Sequence, residues 1–203
     1  MRSRSRTAKA ICDAPVINDV DEVLRGLLTE VATAAGAGEV VFDAPTREWA
    51  ARRTGPMLNA YLYEIQEDVS RRERGAVSIR DEAGRVTARR QPPRWFRLTY
   101  LVTAWTTRPE DEHRLLSAVL RELLPRETLP LNDALRALRA TIPLTVGVPP
   151  EQSRSIADIW SALGGELKPS LDVTAVVPFP VSPDYPVGPP VTEPLIPQLV
   201  VRE

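Results

Sequence analysis

The chain has one cysteine, Cys12, and one histidine, His113, in 203 residues. No intrachain disulfide can form, and no zinc cage of cysteines and histidines can be built. Lysine is nearly as scarce, with two against 24 arginines. No uninterrupted apolar run approaches the ~20 residues that a membrane helix needs. A Sec signal is missing as well: Met1 to Lys9 is basic, but no apolar stretch follows it. There is no GxSxG elbow to partner His113 and no GxxxxGK[ST] phosphate loop. These absences point to a soluble, intracellular protein, or one exported only as part of something larger.

What is present is an ordinary globular composition, 43% hydrophobic and 26% charged. That is enough to bury a core in a single domain. The 20 prolines stand out, about twice the usual share of roughly 5%. Net charge is -1 but unevenly spread: residues 71–97 hold nine arginines against Glu73, Asp81 and Glu82, and residues 151–203 hold seven acidic residues against three basic ones. A near-neutral chain with regions of opposite sign is no natural polyanion binder, but it can bind copies of itself head to tail. The arginine bias suits bidentate interface pairs; a GC-rich genome would produce the same bias.

Residues 1–17 read as a loose basic leader. Asn18 or Asp19 is placed to cap a helix to about Ala35, whose Val20, Val23, Leu24, Leu27, Leu28 and Val31 make one apolar stripe. Gly36 and Gly38 stop it. Glu39 to Asp43 reads as a short strand. Pro45 to Arg53 reads as one or two helical turns with Pro45 in the first position. Pro56 to Asp68 and Arg94 to Thr107 favour strands, rich in aromatic and β-branched residues. In the second, Phe96, Leu98, Tyr100, Val102 and Ala104 alternate with Trp95, Arg97, Thr99, Leu101, Thr103 and Trp105. Each can reach roughly 40 Å at about 3.3 Å per residue, longer than the usual strand, so their ends are expected to outrun the core and pair with a neighbour. Between them, Val77–Arg80 and Arg85–Ala88 flank a turn-like tetrad and read as a small polar hairpin or loop. Pro92 and Pro93 hold the entry to the next strand extended. Pro109 to Leu124 reads as a helix with Glu110, Asp111 and Glu112 in its first turn. A short helix near 131–138, a strand near 142–148, a helix near 156–163 and a strand near 171–177 follow. The expected class is α+β: an antiparallel or mixed sheet with long central strands, helices packed on one face, and a proline-rich extended tail over 181–203. The folded domain is expected over 18–180.

Candidate sites are few. His113 falls on the polar face of its helix and reads as a solvated position. Cys12 has no histidine nearby in sequence. Glu64, Glu67 and Asp68 cluster at a strand end, but a hard cation would need oxygen ligands from several places. Gly164-Gly165 follows a helix and reads as its cap. No nucleophile, base and oxyanion site assembles, so no enzymatic activity, cofactor or metal is expected. The arginine block has three open readings: a solvated loop, a protein–protein contact, or a nucleic-acid surface with Trp95 and Phe96 as stacking groups. Arg71, Arg72, Arg74, Arg89, Arg90 and Arg94 are the candidate interface charges. Trp105 and Trp160 read as core or interface anchors.

Four tracts together carry a family resemblance. They are Pro56-Met57-Leu58-Asn59-Ala60-Tyr61-Leu62-Tyr63, Pro92-Pro93-Arg94-Trp95 with Tyr100-Leu101-Val102-Thr103-Ala104-Trp105, Glu110-Asp111-Glu112-His113-Arg114-Leu115-Leu116, and Trp160-Ser161-Ala162-Leu163-Gly164-Gly165 with Lys168-Pro169-Ser170-Leu171. In this order and spacing they resemble the cap, or tail-terminator, proteins of contractile injection systems, over roughly residues 18–180. The resemblance implies a structural part: a ring, expected to be hexameric, at the end of the inner tube and sheath. It would stop polymerisation and hold the sheath extended. The partners implied are further copies of the chain and the sheath and inner-tube proteins, with no membrane. The implied location is the bacterial cytoplasm, within a particle that can be released. A nucleic-acid-binding or other protein-interaction module using the arginine-rich hairpin is the alternative.

Overall fold

A long, two-faced sheet arises where the chain alternates most strictly. The computed structural model describes residues 16–148 and 155–188; Cys12, most of the expected leader and the end of the expected tail lie outside that range. Five helices and eight strands are present among the described residues, an α+β fold with one mixed and one antiparallel sheet.

Helix α1 (Val16–Ala34) begins ahead of the expected cap because Val16 belongs to its buried stripe with Val20, Leu24, Leu27, Leu28 and Val31. Gly36, at φ +80°, turns the chain out of the helix, and the Ala37 N–H reaches back to the Ala32 carbonyl at 2.8 Å. Strand β1 (Glu39–Val41) and helix α2 (Arg47–Arg52) follow. Pro45 stands outside α2 rather than in its first turn. Thr46 is the cap, its hydroxyl accepting the Trp49 N–H at 3.2 Å, a bond that proline cannot offer.

Strands β2 (Met57–Glu67) and β5 (Arg94–Trp105) have the expected length, at 11 and 12 residues. Strands β3 (Val77–Arg80) and β4 (Val86–Arg90) form the hairpin between them. Helices α3 (Pro109–Leu123) and α4 (Asp133–Ala137), strand β6 (Leu144–Val146), helix α5 (Ile156–Ala162) and strands β7 (Ser170–Phe179) and β8 (Tyr185–Pro186) complete the chain. The large sheet runs β1-β2-β5-β7-β6, antiparallel except for β1 beside β2.

The period-two reading of β5 holds. Leu98, Tyr100, Val102 and Ala104 face α1, α3 and α4 in the main core. Leu101 and Trp105 face the other way. The expected helix layer is therefore there, and the second face carries two shorter helices besides. Helix α5 brings Ile159 and Trp160, and α2 brings Trp49, onto Leu101, Trp105 and Met57, since bare tryptophans on that face would leave a large apolar patch in water.

Candidate assembly interface

The three central strands of the large sheet each have a counterpart in a small antiparallel sheet, β3-β4-β8. β2 leads into β3, β4 into β5, and β7 into β8, in the same lateral order as β2-β5-β7. The small sheet thus continues the large one as an arm. All three strands break at one waist: a 3-10 turn at Val69–Arg71 with Gly75 at φ +91°, the pair Pro92-Pro93, and Pro180 with Pro183. Proline removes ladder donors, so the breaks are written into the sequence.

Glu67 organises the waist. A bulge between Leu62 and Glu64 shifts the register, so that Glu67 pairs with Phe96 and shares its face. Arg94, two residues from Phe96, lies on that face diagonally opposite. Arg94 donates Nε to Glu67 at 2.8 Å and makes a second, shorter bond through Nη2. Arg72 donates Nε and Nη2 to the same carboxylate at 3.0 and 2.5 Å. These two guanidinium groups hold the Glu67 carboxyl well below its usual range, at about 2. Asp68 caps the turn by accepting the Ser70 N–H at 3.2 Å, and its own N–H bonds the Trp95 carbonyl at 2.8 Å. On the other flank, Arg90 meets Asp184 at 3.1 Å and the Gln91 N–H bonds Ser182 Oγ at 3.1 Å.

The six candidate arginines therefore separate. The structure brings them all to the arm and its root, but gives them different work. Arg72 and Arg94 clamp Glu67, and Arg90 holds Asp184. Arg71 reaches Asp68 at 3.5 Å and covers the Trp95 ring at 5.1 Å. Arg74 and Arg89 are exposed and make no ion pair among the described residues. The two groups weighed for base stacking also have partners within the chain: Trp95 lies under Arg71, and Phe96 packs edge-on against Phe179 at 5.2 Å. Of the clustered carboxylates, Glu64 accepts from Gln66 Nε2 at 3.1 Å, Glu67 is occupied by arginines, and Asp68 by the turn.

Sequence reasoning missed a second constellation, on the far side of the sheet. Lys168 Nζ donates to Glu112 Oε1 at 2.6 Å and lies 4.7 Å from the centre of the Trp105 ring. Glu112 Oε1 also accepts the Thr106 N–H at 3.2 Å. Trp105 packs against Trp49 at 5.2 Å and Trp160 at 6.3 Å. A side chain on Gly165 would meet the Trp160 ring at 3.2 Å, so that position takes glycine for close approach rather than for its backbone angle. Three of the motif tracts thus converge on one folding hub. The position of Glu112 in the first turn of its helix suggests only a dipole role; the signal for the ion pair is Lys168, one of two lysines in an arginine-rich chain.

Residues 19–193 match the family model described as the Pvc16 N-terminal domain. The chain belongs to that family. Among solved structures, the domain is similar to the sheath/tube terminator of the extracellular contractile injection system PVC in its extended state, with a TM-score of 0.64 at 20% identity over 92% of this chain and 65% of that one. It is also similar to the tube-terminating cap of the anti-feeding prophage, with a TM-score of 0.58 at 21% identity over 90% of this chain and 60% of that one. At this identity both likenesses establish the fold, and the chain spans under two thirds of either relative's length. No curated protein matches it.

Proposed function

We propose that this Pvc16 N-terminal-domain chain is a structural cap that ends the inner tube and sheath of a contractile injection particle. The observation that carries the reading is family membership across residues 19–193. The fold it shares with a sheath/tube terminator and a tube-terminating cap supports it. A cap needs one face complementary to the last layer and none that accepts another. It needs rigidity and surface chemistry, and the described residues supply both: a doubly covered sheet and a charged arm held at a clamped angle.

The finer reading is a homo-oligomeric ring, hexameric, that contacts sheath and inner-tube subunits and holds the sheath extended. Head-to-tail contacts close into a ring when the rotation between neighbours closes. Assembly in the bacterial cytoplasm, within a particle that is later released, goes with this role. Among the described residues no helix is long and apolar enough to cross a membrane. The test is electron microscopy of particles from cells lacking the gene. Tubes of uncontrolled length, or particles without extended sheath, are expected. Particles of normal length and normal sheath would overturn the reading.

A further inference from the structure

The arm has no core of its own. None of the residues in β3, β4 and β8 is buried, and none belongs to the core clusters of the body. Its two faces differ. The register puts Ile79 opposite Ala88 and Ala88 opposite Pro186, with Val77 two residues from Ile79 on the same side. Val77, Ile79, Ala88 and Pro186 therefore make one apolar face, closed at the root by the Arg90–Asp184 pair. The bulge between Ile79 and Arg80 leaves Val86 opposite Arg80, on the other face with Ser78, Arg89 and Tyr185. A three-stranded sheet of this size needs its apolar face packed on something to be stable in water. Here Val77 is 45% exposed and Val181, at the root, 43%.

The chain itself carries the complement. Strand β8 runs antiparallel to β4, so the chain leaves the arm at its tip rather than at its root. Residues 189–203 follow directly and lie outside the described residues. Five of the seven residues 195–201 are aliphatic: Leu195, Ile196, Leu199, Val200 and Val201. Between them and β8 stand residues 189–194, with prolines at 189, 190 and 194. Such a tether spans at most about 20 Å, and strands of four and five residues measure about 13–17 Å. The aliphatic segment can therefore double back and lie along the whole arm. A segment on so short a tether meets the face at an effective concentration in the millimolar range, ahead of a second copy or another subunit. It lies past residue 193, where the match to the family ends, so such a cover is a feature of this chain.

We propose that residues 195–201 fold back over the apolar face of the arm and supply the core that β3, β4 and β8 lack. Leu195, Ile196, Leu199, Val200 and Val201 provide the side chains that pack on Val77, Ile79, Ala88 and Pro186. The opposite face, with Arg80 and Arg89, stays open to a partner.

The test is amide exchange of the purified full chain. Leu195→Asp with Leu199→Asp is expected to speed exchange over residues 77–90 at least tenfold, because an uncovered sheet opens readily. Exchange in the body and the melting point should match the wild type, since both substitutions lie outside the body. Thr192→Asp, a polar change in the tether, should stay within about twofold of wild type. A second measurement locates the segment. On a Cys12→Ser background, Ala88→Cys is paired in turn with Leu195→Cys, Leu199→Cys and Val201→Cys, and a disulfide is expected within one chain, at the mass of a monomer. Arm exchange that is unchanged in the double aspartate variant would overturn the proposal. So would disulfides that form only between chains, which would make a second copy's segment the occupant, or protection of 195–201 that appears only when purified tube or sheath subunits are added. The inference does not rest on the cap reading, which particle length in cells lacking the gene decides separately.

Discussion

Replacing Lys168 with methionine tests whether the convergence of motif residues on Trp105 holds the fold together. Methionine keeps the length and apolar stem of lysine and removes its charge. Among the described residues, the Glu112 carboxylate would then keep only the Thr106 N–H as donor, with 11% of its side chain exposed. Stranding a fully buried charge costs about 3–5 kcal/mol. Here Lys168 retains 21% exposure, so water can reach the site, and about 2 kcal/mol is the reasonable expectation. That figure includes the loss of the cation over the Trp105 ring, about 0.5–1 kcal/mol at a partly exposed site. For a chain of this size it corresponds to a melting point lower by about 4–8 °C. Urea unfolding of Lys168→Met, Glu112→Gln and the double variant would separate pair from context. The double variant should be more stable than the sum of the single losses predicts, by at least about 1 kcal/mol. Additive losses, or a Lys168→Met variant within about 0.5 kcal/mol of wild type, would refute the claim that this pair ties the α5–β7 connection to α3 and Trp105.

Glu67→Gln should loosen the arm without unfolding the body, seen as faster amide exchange over residues 72–93 at neutral pH with an unchanged melt. The pH dependence has a definite sign. The folded Glu67 carboxyl is lowered to about 2, so its support is present above the unfolded carboxylate range and is lost as pH falls through that range towards 2; wild-type arm exchange, corrected for its intrinsic pH dependence, should rise over that window and stay flat in Glu67→Gln. Asp21 should act in the opposite sense. Burial raises its carboxyl, so ionisation opposes folding as pH rises from the usual carboxylate range through the raised value, and Asp21→Asn, which can still accept the Tyr100 hydroxyl, should flatten that fall in urea-unfolding stability.

Much of the fold was legible because burial follows local periodicity. The stripe Val20–Val31 and the alternation from Phe96 to Ala104 identify their own core faces. The prolines at 92–93 and after Phe179 mark where strands must break. What could not be read were relations between distant segments. Nothing in the spacing of Lys168 and Glu112 says that they meet across 56 residues. The bulge at Leu62/Glu64 changes which of Glu64 and Glu67 faces Arg94, and a one-residue shift of that kind leaves no compositional trace. For the same reason the six arginines look alike in sequence. Their difference lies in whether a carboxylate from another strand stands within reach.

That difference decides how charge reversals at the arm must be interpreted. A reversal at Arg72 or Arg94 places a second carboxylate beside Glu67, and so releases the root of the arm. A reversal at Arg90 repels Asp184 and detaches β8 from β4 on the other flank. Any assembly defect from these three positions would follow whether or not they touch a partner, because the arm would no longer point where the contact requires. Arg74 and Arg89 hold nothing inside the chain among the described residues. At these two positions a lost assembly with an intact arm reports contact itself, and amide exchange over 72–93 is the control that separates the two causes. If Arg74→Glu with Arg89→Glu disturbed that exchange as strongly as Glu67→Gln, the division of the arginines into clamp and contact would fail.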